Sequence, residues 1–387
     1  MKSFPIMAFV VLTGGASAQG LLGILPTIQE METKPLVLGV GVNAGYDTNV
    51  NTDPTDEVDS FYTGGQLNLD YRYATERTIF SIGASGGATY FFDQAQDADN
   101  LLYSAKVGGA LTHAITDRLS IDDKFYIGYD FDPNFITGAS TNRRNDEYIF
   151  GFNSLAVNYL WTDRLSTSTG FSIGTTLYDE DTISNTEDRV EYGANQLVRY
   201  ALSEQAGLRA EYRFNYTDYD SGISSTSNIV TGGVDYQFDE NTMLVAMAGI
   251  EMYDNDLRGE ETRPYGELGL SRVLTDELTI RWANRVGFER TGVGVYQSNY
   301  TYRTNLDMTY QLTEKLSGFV GGLYLYTDYS GDPGNKENLI EGRVGLNYAL
   351  TPAIGLGLSY SYTNLDSDVE MDGYERQRIN LGLNATF

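Results

Sequence analysis

The chain has 387 residues, no cysteine, 30 tyrosines, 42 glycines and a formal net charge of −27. Without cysteine there is neither a disulfide framework nor a thiolate metal site, so an exported form must be stable through its fold alone. The acidic balance argues against a nucleic-acid partner, which needs clustered Lys and Arg. No later stretch carries ~18 consecutive apolar residues, so no transmembrane helix is predicted.

The first segment reads as an export signal over residues 1–18: Lys2, the apolar run Ile6 to Leu12, and the small-residue cleavage site Ala16-Ser17-Ala18. The mature chain then begins at Gln19 with a net charge of −28, because Lys2 is the only charge removed. Residues 19–34 read as a short periplasmic lead-in and 35–387 as one domain without an internal boundary.

Beyond the lead-in, long runs alternate with a period of two. Leu67, Leu69, Tyr71 and Tyr73 share one face, and Gln66, Asn68, Asp70 and Arg72 the other. Leu208, Ala210, Tyr212, Phe214 and Tyr216 oppose Arg209, Glu211, Arg213 and Asn215; Tyr300, Tyr302, Leu306, Met308 and Tyr310 oppose Arg303, Asn305 and Asp307; Ile340, Val344, Leu346 and Tyr348 oppose Glu341, Arg343 and Asn347. Each run is a strand with one apolar and one polar face. At about 10–14 residues, the runs exceed the usual ~5–6 of globular strands and reach the ~9–11 needed to cross a membrane at a tilt. Two positions break the pattern. Asp123 falls on the face of Phe125 and Ile127, and Asn284 falls between Trp282 and Val286, which implies a local bulge or a shifted register.

Eight runs end in a similar small turn: Ala74-Thr75-Glu76-Arg77, Ile115-Thr116-Asp117-Arg118, Trp161-Thr162-Asp163-Arg164, Leu202-Ser203-Glu204-Gln205, Phe238-Asp239-Glu240-Asn241, Leu274-Thr275-Asp276-Glu277, Leu312-Thr313-Glu314-Lys315 and Leu350-Thr351-Pro352-Ala353. Their second residues are spaced 41, 46, 41, 36, 36, 38 and 38 apart, the mark of one hairpin repeated. Between them lie nine longer, acidic connections near residues 47–60, 93–100, 132–146, 179–188, 220–227, 254–262, 291–298, 330–337 and 363–373. Eight turns and nine loops join about eighteen strands, an even number with both ends on one side. The predicted fold is all-β: a single transmembrane antiparallel up-and-down barrel with short periplasmic turns and acidic extracellular loops. The last run, Ile379 to Phe387, alternates up to its terminal aromatic and resembles the strand signal by which outer-membrane barrels are recognised for assembly, with Phe387 as the signal residue.

The charges divide by place. Acids crowd the loops: Asp53, Asp56, Glu57 and Asp59; Asp179, Glu180, Asp181, Glu187 and Asp188; Asp366, Asp368, Glu370 and Asp372. They suit solubility and divalent-cation bridging to anionic surface lipid. Gly373 is not where a calcium-binding loop places its glycine. On the polar strand faces fall Arg72, Lys124, Arg199, Arg209, Arg213, Arg281, Arg285, Arg303, Arg343 and Arg378, with Asp70, Asp122, Glu191, Glu211, Glu289, Asp307 and Glu341. Paired across strands, these groups stiffen the wall; facing a lumen, they create a transverse field that tunes selectivity. The pore-lining set is Arg209, Glu211, Arg213, Arg281, Arg285, Arg303, Asp307, Glu341 and Arg343. His113, the one histidine, sits beside the second turn and is read as structural. No catalytic constellation, phosphate loop or metal cluster stands out, so no enzyme and no cofactor is expected.

The mature chain resembles porin-type outer-membrane barrels. Within them, Gly45-Tyr46-Asp47-Thr48-Asn49-Val50 resembles the Y-D-[ST]-N stretch of the putative beta-barrel porin 2 family. The resemblance implies passive diffusion of small polar solutes or ions. For a related set it implies a role in exopolysaccharide export or surface structure. A barrel of 16–18 strands leaves an aqueous channel unless something fills it, and no plug domain, passenger or long third loop is in view. Expected partners are outer-membrane lipid, lipopolysaccharide, the barrel-assembly machinery, and small solutes or polysaccharide. The Tyr-rich outer face suits either lipid or a homo-oligomer seam.

Overall fold

The computed structural model describes residues 35–95, 98–132, 147–179, 187–257, 259–275, 277–289, 299–329, 336–368 and 373–387. The export signal and the lead-in lie outside the described residues. Eighteen strands follow one another: β1 (Leu36–Asp47), β2 (Ser60–Ala74), β3 (Thr78–Phe91), β4 (Leu101–Ala114), β5 (Leu119–Asp130), β6 (Tyr148–Leu160), β7 (Leu165–Tyr178), β8 (Arg189–Ala201), β9 (Ala206–Tyr219), β10 (Ser224–Asp239), β11 (Thr242–Asn255), β12 (Gly259–Thr275), β13 (Leu278–Glu289), β14 (Asn299–Gln311), β15 (Leu316–Asp328), β16 (Lys336–Thr351), β17 (Ile354–Ser367) and β18 (Tyr374–Thr386). Each pairs antiparallel with its chain neighbours, and β1 pairs with β18 from Gly39↔Thr386 to Asp47↔Arg378, closing the sheet. Closure removes both sheet edges, so every ladder group can be satisfied without water.

The outward face is apolar and open. Val42, Phe61, Leu67, Phe171, Val320 and Ile340 are all at least half exposed. A water-soluble protein does not present such a continuous surface, and a barrel embedded in lipid does.

The repeated turn has a common cause. Its second side chain accepts hydrogen bonds from the backbone N–H groups two and three residues on. Thr116 accepts from Arg118 and Leu119, Thr162 from Arg164 and Leu165, Ser203 from Gln205 and Ala206, Thr313 from Lys315 and Leu316, and Thr351 from Ala353 and Ile354, all between 3.0 and 3.3 Å. Asp239 does the same for Asn241 at 2.8 Å. Short hydroxyl and carboxylate side chains close such turns locally.

Three connections are shorter than their polarity suggested. β10 begins at Ser224, β12 at Gly259, and β17 continues to Ser367, so Asp366 is on a strand. Polar sequence reads as loop, but strands that project beyond a membrane have no need of an apolar face. The two irregular positions are corrected likewise. β5 and β13 pair with both neighbours without a register shift there. Asp123 keeps the outward face and accepts a hydrogen bond from Asn153 Nδ2 at 3.1 Å, while Asn284 Oδ1 accepts one from Tyr302 at 3.1 Å. Polar partners on the same outer face, rather than a bulge, accommodate them.

Candidate functional site: the lumen wall and its mouth

The Tyr-Asp-Thr-Asn stretch sits where the barrel closes. Asp47, at the end of β1, is fully buried. It accepts from Arg376 at 2.7–3.0 Å and from Arg378 at 2.8 Å, both on β18. Asp132, just past β5, accepts from the same two guanidiniums at 3.0–3.4 Å. Burial would raise the Asp132 carboxyl, but Arg378 and Arg376 outweigh it and hold the group well below the usual carboxylate range. Thr48 and Asn49 extend the seam: Thr48 Oγ1 accepts from Gln377 N at 2.8 Å, and Asn49 Nδ2 donates to Glu375 O at 3.0 Å and to Asp53 O at 2.9 Å. Thr55 and Asp56 donate backbone N–H groups to Asp53, which lowers its pKa. Val50, with no exposed surface, packs with Tyr62, Phe91, Leu102 and Phe131. The motif therefore turns the chain inward over the lumen and fastens it there.

Two further apolar groups line the same end: Tyr148, Phe150 and Tyr178, with Tyr126 against them, and Leu323, Leu325, Leu339, Leu365 and Tyr374. Tyr253 stacks on Phe288 at 4.6 Å. All lie near the long connections, and all but Phe288 have the inward parity. At the opposite end, the inward Arg281, Thr309, Asn347 and Asn384 are exposed. Inward side chains are thus mostly buried towards the extracellular end and more exposed towards the periplasm. Near the mouth both faces of a strand are apolar, as in Leu323-Tyr324-Leu325-Tyr326, so the alternation that marks a polar lumen fades there.

Below the mouth, an ionic chain crosses the wall from β8 to β14. Arg199 binds both oxygens of Asp235 at 2.6–3.1 Å. Arg213 reaches Glu211 on its own strand at 2.8–2.9 Å, and Glu267 and the Tyr265 hydroxyl on β12 at 2.9–3.1 Å. Arg285 lies over the Tyr265 ring, 5.6 Å from its centroid, and 3.5 Å from Glu289. Arg303 holds Glu289 at 2.8 Å. On the next strands Arg343 pairs with Asp307 at 2.6 Å.

Every pore-lining residue expected from sequence has the inward parity. Arg209, Glu211, Arg213, Arg285 and Arg303 are buried, Arg281 is exposed towards the periplasm, and Asp307, Glu341 and Arg343 are half-buried. The site includes residues that the sequence did not place on the lumen wall: Asp47, Lys106, Arg189, Asp235, Glu251, Glu267, Tyr265 and Arg376. Arg376 was findable, two residues before Arg378 on the same face. Glu251 was not, because the inward face of β11 also carries Met243, Val245 and Met247, which erases the polar stripe. His113 Nδ1 contacts Thr78 Oγ1 at 2.8 Å on the outer face, outside the lumen. Phe387, outward and 63% exposed, exchanges backbone hydrogen bonds with Leu38.

The family model described as putative beta-barrel porin 2 matches residues 270–387, which covers β13–β18 and most of the ionic wall's later half. Among solved structures, the outer-membrane protein opdK of Pseudomonas aeruginosa is 11% identical, with a TM-score of 0.48 over 91% of this chain and 99% of that one. OccAB3 of Acinetobacter baumannii is 12% identical, with a TM-score of 0.46 over 91% and 98%. The siderophore receptor PirA of P. aeruginosa is 11% identical, with a TM-score of 0.43 over 92% and 80%. No curated protein matches the chain. The chain resembles the porin family in its C-terminal third, and with its closed sheet and apolar outer belt it is a barrel of the outer membrane.

Proposed function

We propose that the chain is a passive outer-membrane channel for small polar solutes or ions, without catalysis. The supporting observation is a closed eighteen-strand barrel whose inward face carries ion pairs in series from β8 to β16. Arg209, Glu211, Arg213, Arg281, Arg285, Arg303, Asp307, Glu341 and Arg343 would line the path and set a transverse field. The apolar clusters near the mouth would narrow the path, which favours small solutes over a polysaccharide. Lipopolysaccharide and divalent cations at the acidic loops, and the assembly machinery at Phe387, complete the proposed partners. Planar-bilayer recording of the refolded mature chain tests this. Discrete current steps are expected, smaller than a fully open barrel of this strand number would give. A silent bilayer at every voltage overturns the reading, and passage of a sugar polymer without ion steps would favour polymer export.

A further inference from the structure

Six arginines are buried in the described structure: Arg189, Arg209, Arg213, Arg285, Arg303 and Arg376. Five have a carboxylate within ion-pair distance. Arg209 does not. It is 8% exposed, its Nε is enclosed without a partner, and none of its nitrogens forms a hydrogen bond or ion pair among the described residues.

The neighbours explain why. In register, Arg209 lies opposite Arg199 on β8 and Gly233 on β10. Asp235 spends both oxygens on Arg199, and Glu211 spends both on Arg213. Both carboxylates are engaged by other guanidiniums, and Arg209 stands between the pairs in direct contact with neither. A buried guanidinium whose donors are unmatched is costly. A guanidinium offers planar, paired donors that match a carboxylate or phosphate.

We propose that Arg209 anchors an oxyanion site in the lumen, one that takes the carboxylate or phosphate group of a small solute. It lies near the periplasmic end of β9, beside Arg199, whose side chain is 26% exposed. The ligand would arrive from the periplasmic end, near which Arg209 lies, so the site does not depend on passage through the extracellular mouth. The protein's net charge of −27 repels anions in general, so saturable anion binding reports the unmatched donors of Arg209 rather than the overall field.

The test is isothermal titration of the mature chain, refolded in zwitterionic detergent at low ionic strength, with succinate and with inorganic phosphate. Saturable one-to-one binding of at least one anion is expected, and the comparison of the two identifies the favoured group. Arg209→Gln should weaken binding by more than roughly tenfold, the loss of a charge-assisted hydrogen bond, while Arg209→Lys retains part of it. Asp235→Asn, which releases Arg199, should tighten binding, and it decides the matter should Arg209→Gln fail to refold. The proposal is overturned by two saturation-free titrations of the wild type, by wild-type affinity in Arg209→Gln, or by unchanged affinity in Asp235→Asn. A preparation that binds anions yet gives no current steps would sink the channel reading and leave the site standing.

Discussion

The two ends of the barrel are built on opposite plans. At the periplasmic end most hairpins close themselves with one short side chain bonded to backbone two and three residues away. At the extracellular end closure is achieved by partners far apart in sequence: Asp47 meets Arg376 across 329 positions, and Asp132 meets Arg378 across 246. A local device is repeatable and tolerates loss one copy at a time. A long-range device exists once, and its parts have no substitute.

The largest expected effect follows from that singularity. Asp47→Asn leaves Arg376 and Arg378 with only Asp132, which is about a third exposed. Breaking a buried pair of this kind costs about 3–5 kcal/mol. Urea unfolding in lipid vesicles should show a loss of that order, together with larger current steps as the inward-turned segment is released. An unchanged midpoint would mean that the seam is held by the ladder alone. Gly222→Ala comes next. Gly222 has φ +78° in the short connection before β10, where a side chain costs about 1–2 kcal/mol, with no effect on conduction. Thr162→Ala removes the hydroxyl that closes one periplasmic turn and should cost about 1 kcal/mol. A loss as large as that of Asp47→Asn would erase the contrast between the two ends.

The smallest effect is that of mild acid. The folded pKa of Asp132 is lowered, so its contribution is fully present above the unfolded value near ~4 and disappears only as pH falls through the lower folded value. Conductance and the unfolding midpoint should therefore show no step attributable to this latch between neutral pH and about 5. A step in that window that vanishes in Asp132→Asn would contradict the pairing.

The sequence alone determined the strand number, the closure into a barrel, the two kinds of connection and the inward parity of the charged residues. All follow from a period of two and from turns closed within four residues, and such signals are local by nature. Only the tertiary structure decided which charges meet, why Arg209 is left over, and why the mouth is apolar. Those facts depend on register between strands and on side chains from distant strands pointing at one another across the lumen. Asp47 shows the boundary: its motif could be read from the chain, but its work, holding β18 against the inward-turned first loop, appears only once the two ends of the sheet are joined.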